Sequence, residues 1–212
     1  MDVSTTSSDL WEVLSTARMV RRYRDEPVPD EVLRRCLQAA TWAPSGGNQQ
    51  PWRFVVITDP ETRAVIGAAA KATWEIMAGF YGLAVPDPDD TSTKARTVRS
   101  MHEHMMSGAT VPLCVLFCVK PMRGESELQT GGSIWPALHN FALAARAQGL
   151  GTAVTLWQDQ CDSELRARVG IPDAWKVASI LTGGWPQGGH GPLTRKPVTD
   201  VVAVDHWDHA LT

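Results

Sequence analysis

Residues 112–119 read PLCVLFCV, an uncharged apolar run of strand length, and this run constrains the fold most. Cys114 and Cys118 are four apart within it, an even spacing that points both thiols to one face of a strand. Shorter strand candidates stand at 54–57, 152–157 and 177–181, and 201–204 offers a last one. Helical patterns run between them. Leu10, Val13, Leu14 and Ala17 recur behind Asp9, and Val32, Leu33, Cys36, Leu37 and Ala40 behind Asp30, so both aspartates are expected N-caps. The second helix should stop near Trp42, because Pro44 disfavours helical geometry just before it. Pro60 opens a helix carrying Val65 and Ile66. Ile134, Ala137, Leu138, Phe141 and Ala145 form a buried stripe that Gly131-Gly132-Ser133 should open and Gly149 should close. A short helix fits 162–169. The block 74–110 holds Trp74, Phe80, Tyr81 and several methionines around a PDPDDTST loop, and reads as a helical insertion or lid. Residues 1–8 read as a flexible polar tail. With no repeat and no linker, 1–212 is a single α+β domain with a modest sheet and helices against it.

Composition narrows the function. A formal charge of −3 and a pI near 6.1 give no general attraction for nucleic acid or an anionic membrane. No apolar stretch reaches the roughly 18–20 residues that span a bilayer, and Met1 to Asp9 lacks the apolar core of a secretion signal, so a cytoplasmic location is expected. The four cysteines form no CxxC pair and read as buried, reduced thiols. His102 and His104 diverge on a helix, and no metal site is expected.

Four stretches are too polar or glycine-rich for their surroundings. Residues 18–24 hold four arginines in seven positions, a solvated helix end or a set of forks for a delocalised anion. Residues 43–52, APSGGNQQPW, form either a turn with Gly46 and Gly47 at positive φ or a wall of uncharged donors and acceptors for a polar heterocycle. Residues 130–136 place small groups at an expected helix start, where free N–H groups would face a ligand or a partner chain. Residues 183–197 run from a glycine pair to Arg195-Lys196. No GxGxxG, P-loop, GxSxG or HExxH motif accompanies them.

In this order the four stretches resemble the FMN-dependent nitroreductase family. The likeness rests on Arg18-Met19-Val20-Arg21-Arg22-Tyr23 with Pro27-Val28, on Ala43 through Trp52, on Gly131 through Asn140 with Gly149-Leu150-Gly151-Thr152, and on Arg195-Lys196-Pro197-Val198. The resemblance implies a nitroreductase-like fold: a central, mostly antiparallel sheet flanked by helices, in an intertwined homodimer with a C-terminal extension and two FMN sites. Arg18, Arg195 and Lys196 would hold the phosphate, and Arg21 would face the flavin N1/O2 edge, where a cation favours the reduced, anionic form. Pro44, Ser45, Gly46 and Asn48, with Ser133, Ile134 and Trp135, would reach the partner's flavin. Thr155 and Leu156 would lie near N5/O4. Met19 stands where the family often has serine, and Leu156 and Trp157 where many members have glycine. The implied activity is ping-pong hydride transfer from NAD(P)H to a nitroaromatic, quinone or similar acceptor, with no side chain as acid or base. Alternatives are dehalogenation, flavin fragmentation, metabolite oxidation or a non-catalytic flavin-binding dimer.

Overall fold

A computed structural model describes residues 6–211 of the chain, so residues 1–5 of the expected tail lie outside the described residues. Seven apolar residues in a row, Leu113–Val119 (β2), are all buried, because helices cover both faces of the sheet. Leu113, Val115, Phe117 and Val119 pack toward α2 (Asp30–Thr41) and α5 (Glu127–Ala147). Cys114, Leu116 and Cys118 point the other way, toward α3 (Pro60–Tyr81) and α6 (Asp162–Val169). All four cysteines are free and buried. The sheet has the order β1-β2-β4-β3, with β1 at Trp52–Val56, β3 at Gly151–Thr155 and β4 at Lys176–Gly184, and every pairing is antiparallel. β1 and β3 are therefore opposite edges.

Sequence and structure part at several boundaries. α1 (Leu10–Thr16) is capped by Asp9, whose carboxylate accepts from Glu12 N–H. Pro29, not Asp30, stands at the N-cap of α2, and Asp30 is the first helical residue. α5 does not open at Gly131-Gly132-Ser133 but a turn earlier, at a reciprocal capping box of Ser126 and Gln129. Ser133, Ile134 and Trp135 consequently lie inside the helix, and their N–H groups are not those of a free helix end. Pro60 opens a 22-residue helix that runs past Trp74 to Tyr81 and ends on Gly82 in the left-handed conformation. α4 (Thr93–Met106) folds back on α3, with Ser92 as its cap. β3 stops at Thr155, because Leu156 leaves the extended conformation and Trp157 turns into the core. Residues 201–204 form no strand. Val198–Asp200 is a single 3₁₀ turn, and the segment after it folds on itself through an isolated Ala203–Ala210 bridge and the Val204 N–H bond to His209 O. No described helix is long and apolar enough to cross a membrane.

The capping box has a measurable consequence. Ser126→Ala should cost about 1 kcal/mol in chemical denaturation, the usual loss for an N-cap oxygen. A helix that began at Gly131 would leave that substitution neutral.

Candidate active site

The arginine segment runs beside β3. Val20 N–H donates to Thr152 O at 2.8 Å, and Met19 and Thr152 form a parallel bridge. Gly151 makes this approach feasible, because a Cβ there would sit 2.5 Å from Val20 Cβ. The Met19 sulfur lies 3.2 Å from Val154 N and caps the edge amide that a family serine would otherwise neighbour. Beyond Val20, Tyr23 bridges Pro186 and Arg24 N–H reaches Trp185 O, so the segment crosses the end of β4.

Arg18 is exposed and lines a small pocket with Met19, His139, Arg146, Thr152 and His190. The loop from His190 to Lys196 passes this pocket. His190 Nε2 lies 3.4 Å from Gly149 O, a Cβ on Gly191 would be 3.4 Å from the Arg18 guanidinium, and Leu193 N–H reaches Ser15 O. Arg195 and Lys196 are exposed, and the Arg195 guanidinium donates to its own neighbour's carbonyl, Thr194 O. The buried Nδ1 of His190 has no hydrogen-bond partner among the described residues. Burial, then the nearby Arg146 and Arg18 cations, push the His190 pKa down. Arg146 is itself buried, donating to Glu12 and Thr16 and pinning α1 onto α5.

Arg21 is half-buried and has no carboxylate partner among the described residues. Burial lowers its pKa, opposed by Tyr23 and reinforced by Arg18. A guanidinium partly withdrawn from water attracts an anion more strongly than a fully hydrated one does. Close by, Thr155 donates to Ile180 O, and the exposed Leu156 ends the strand.

The uncharged loop lies elsewhere. It leads into β1, three strands from β3, or about 14 Å across the sheet at the usual strand spacing. Its backbone is unusual. Gly47, Asn48 and Gln50 all have positive φ, while Gly46 does not. Ser45 Oγ accepts from Gln50 N at 2.9 Å and holds this conformation, whose non-glycine members carry backbone strain. Ser133, Ile134 and Trp135 lie on α5, which covers one face of the sheet, with Trp135 exposed and the other two buried. One chain thus brings Arg18, Met19, Arg21, Thr155 and Leu156 to one edge and Pro44, Ser45, Gly46 and Asn48 to the other.

The match to the nitroreductase family model covers residues 14–185. The chain belongs to the nitroreductase family. A 5,6-dimethylbenzimidazole synthase of Rhodospirillum rubrum is 30% identical over 82% of this chain and 80% of its own length. An NADH dehydrogenase of Thermus thermophilus is 29% identical, covering 87% and 90%. Iodotyrosine deiodinase 1 of Rattus norvegicus is 28% identical, covering 93% and 70%. Among solved structures, a BluB-like flavoprotein from Clostridium difficile 630 superposes with a TM-score of 0.71 at 22% identity, covering 94% of this chain and 100% of that one. This establishes a nitroreductase-like α+β fold for the chain.

Sequence reasoning missed His190, Tyr23, His104 and Thr182. His104 is buried in the last turn of α4, its Nε2 2.8 Å from Thr182 Oγ1. Burial, with Arg21 nearby, pushes its pKa from 6.5 down to about 4. Protonation then favours the unfolded chain, so this contribution to stability is whole above pH 6.5 and is lost as pH falls toward 4. The loss amounts to about 3 kcal/mol. Denaturation midpoints of wild type and His104→Gln, followed across that window, should converge as the pH drops. Parallel curves would place the histidine in a less buried setting.

Proposed function

We propose that this chain is an FMN-dependent oxidoreductase that works as a homodimer with two sites at the subunit interface. The observation that carries the reading is the half-buried, unpaired Arg21 beside Arg18 on the β3 edge. Membership of the nitroreductase family supports it, as does the fold shared at a TM-score of 0.66 with a nitroreductase from Desulfovibrio desulfuricans solved in complex with FMN. The residues fit the group: the Arg18 guanidinium, with His190 beside it as a neutral polar neighbour, suits a phosphate, and Arg21 suits a delocalised negative edge. Bound FMN would accept a hydride from NAD(P)H and pass it to an electron-poor acceptor such as a nitroaromatic or quinone.

The protein's part is to bind, orient and tune. Arg18, with Arg195 and Lys196 from the loop that passes it, anchors the phosphate. Met19, through its position against Val154, holds the edge of β3 in the place where it would take part in binding the cofactor. Arg21 lowers the energy of negative charge in the reduced state by Coulomb attraction, strengthened because it is partly withdrawn from water. Thr155 and Leu156 form the rim at the end of β3. Pro44, Ser45, Gly46 and Asn48 serve the site of the partner subunit, since they lead into the opposite edge of their own sheet, and Ser133, Ile134 and Trp135 on α5 are assigned to that site with them. Exposed apolar groups support an assembly: Trp42 is 73% exposed, Trp207 on the C-terminal segment 92%, and Phe80 81%. The helical pair of 74–110 then stands as the substrate-facing lid. Relatives named for benzimidazole synthesis, NADH dehydrogenation and deiodination share this frame, so the acceptor is set by that block.

The purified protein incubated with FMN should be yellow, and NADH or NADPH added without oxygen should bleach it. A preparation that stays colourless after incubation would end the reading, and bleaching by neither nucleotide would point to another donor such as a deazaflavin. Arg21→Ala should weaken FMN binding about 10- to 100-fold, the usual loss for a charge-assisted contact, with the dimer intact by sedimentation. Unchanged affinity would remove Arg21 from the site.

A further inference from the structure

Behind the arginine pair, three side chains from distant parts of the chain meet in a short hydrogen-bonded series. Tyr23 Oη is 2.6 Å from Val20 O and 3.1 Å from Thr182 Oγ1, and Thr182 Oγ1 is 2.8 Å from His104 Nε2. Only one assignment puts a proton in each of these contacts. Val20 O is a carbonyl, so the tyrosine must donate to it. Thr182 also lies 3.4 Å from Ala153 O, but the Tyr23 oxygen at 3.1 Å is the nearer acceptor, so it donates to Tyr23, and its remaining capacity at His104 is to accept. The series therefore runs one way, from His104 Nε2–H through Thr182 and Tyr23 to Val20 O, and selects the Nε2–H tautomer. The His104 ring also lies 4.8 Å from that of Trp157, the residue after the Leu156 rim. One residue earlier on α4, Glu103 pairs with Arg22 at 2.5 Å.

We propose that His104 is a positioning residue for the arginine segment, fixing Arg21 against the cofactor through Thr182 and Tyr23. Val20 is held at both ends of its peptide links: its N–H is bound to the sheet at Thr152 and its carbonyl to Tyr23. Both backbone handles between Arg18 and Arg21 are thus fixed, one by β3 and one by a series that begins on α4. The helix proposed to face the substrate thereby also sets the place of the residue that tunes the flavin. A shift of the last turn of α4 is transmitted to Arg21, so occupancy of the lid and the potential of the cofactor are coupled. Burial beside Arg21 keeps the imidazole neutral at ordinary pH, with Nδ1 bare and Nε2 protonated as the series requires.

This inference rests on the reading of Arg21 as a flavin contact, and two measurements separate them. In protein loaded with FMN, His104→Leu, Thr182→Val and Tyr23→Phe should each raise the Kd for FMN about three- to tenfold, the scale of one lost hydrogen bond, and lower its midpoint potential. The double variant His104→Leu/Tyr23→Phe should be no worse than the poorer single one, because both break the same series. His104→Gln, whose amide N–H replaces Nε2–H, and Thr182→Ser, which keeps the hydroxyl, should retain the wild-type affinity and potential. Wild-type values in the three disruptive variants would reduce the series to simple packing. A fall in His104→Gln equal to that in His104→Leu would overturn the donor assignment. If the wild type binds no flavin, the reading of Arg21 fails alone. The series is then judged in the cofactor-free protein by ¹⁵N shifts of histidine: His104 should appear as pure Nε2–H, and an Nδ1–H form or a mixture would refute it.

Discussion

The contact between Gly151 and Val20 is the one on which the site depends. A strand at the edge of a sheet exposes a row of backbone donors and acceptors, and β3 has its outer side covered only where the arginine segment comes close enough to pair. Any side chain at 151 would collide with Val20, so the missing Cβ is what allows the Val20–Thr152 bond. Everything else in the segment follows from that anchor. Met19 falls over Val154, Arg21 is drawn partly out of water, Tyr23 reaches Thr182, and Arg24 closes on Trp185.

The sheet divides its polar chemistry between two edges. Cationic groups collect at β3, where Arg21 is partly buried and, among the described residues, forms no ion pair, the nearby Glu103 being taken by Arg22. Uncharged amides and hydroxyls collect before β1, in a loop whose left-handed residues are held by Ser45. β2 and β4 lie between these edge strands, so neither edge alone contains the groups that a ring with a phosphate tail requires. A second copy of the chain that brings the β1 edge of one to the β3 edge of the other unites them, which is the physical ground for the proposed dimer.

How far the sequence could be read depended on whether the relevant signal is local. The β2 strand, the α2 stripe and the arginine cluster were legible, because their patterns repeat over a few residues. The start of α5 was misjudged because Gly131-Gly132 resembles a helix boundary, while the Ser126-x-x-Gln129 box that governs the start lies upstream in a polar loop. Val201 to Val204 has strand-like composition, yet it pairs only with residues 209–211 just after it, through the isolated Ala203–Ala210 bridge, and joins no strand of the sheet among the described residues. Tyr23, His104 and Thr182 could not have been grouped from sequence at all. Each is ordinary within its own element, and only the order β1-β2-β4-β3, with α4 laid across one face, makes them neighbours.

The antiparallel pairing of β2 with β4 also governs how the protein is made. Residues 113–119 find their partners at 176–183, with α5, β3 and α6 between them, so the middle of the sheet closes only after a long stretch of chain has been synthesised. Such non-local closure slows folding, and the apolar β2 segment waits uncovered on the nascent chain while it happens. α2, α3 and α4 precede β2 in the chain and can form before it, whereas α5 and α6, which complete its cover, follow it. The strand that makes the folded core most secure is for that reason the segment most in need of a chaperone during translation.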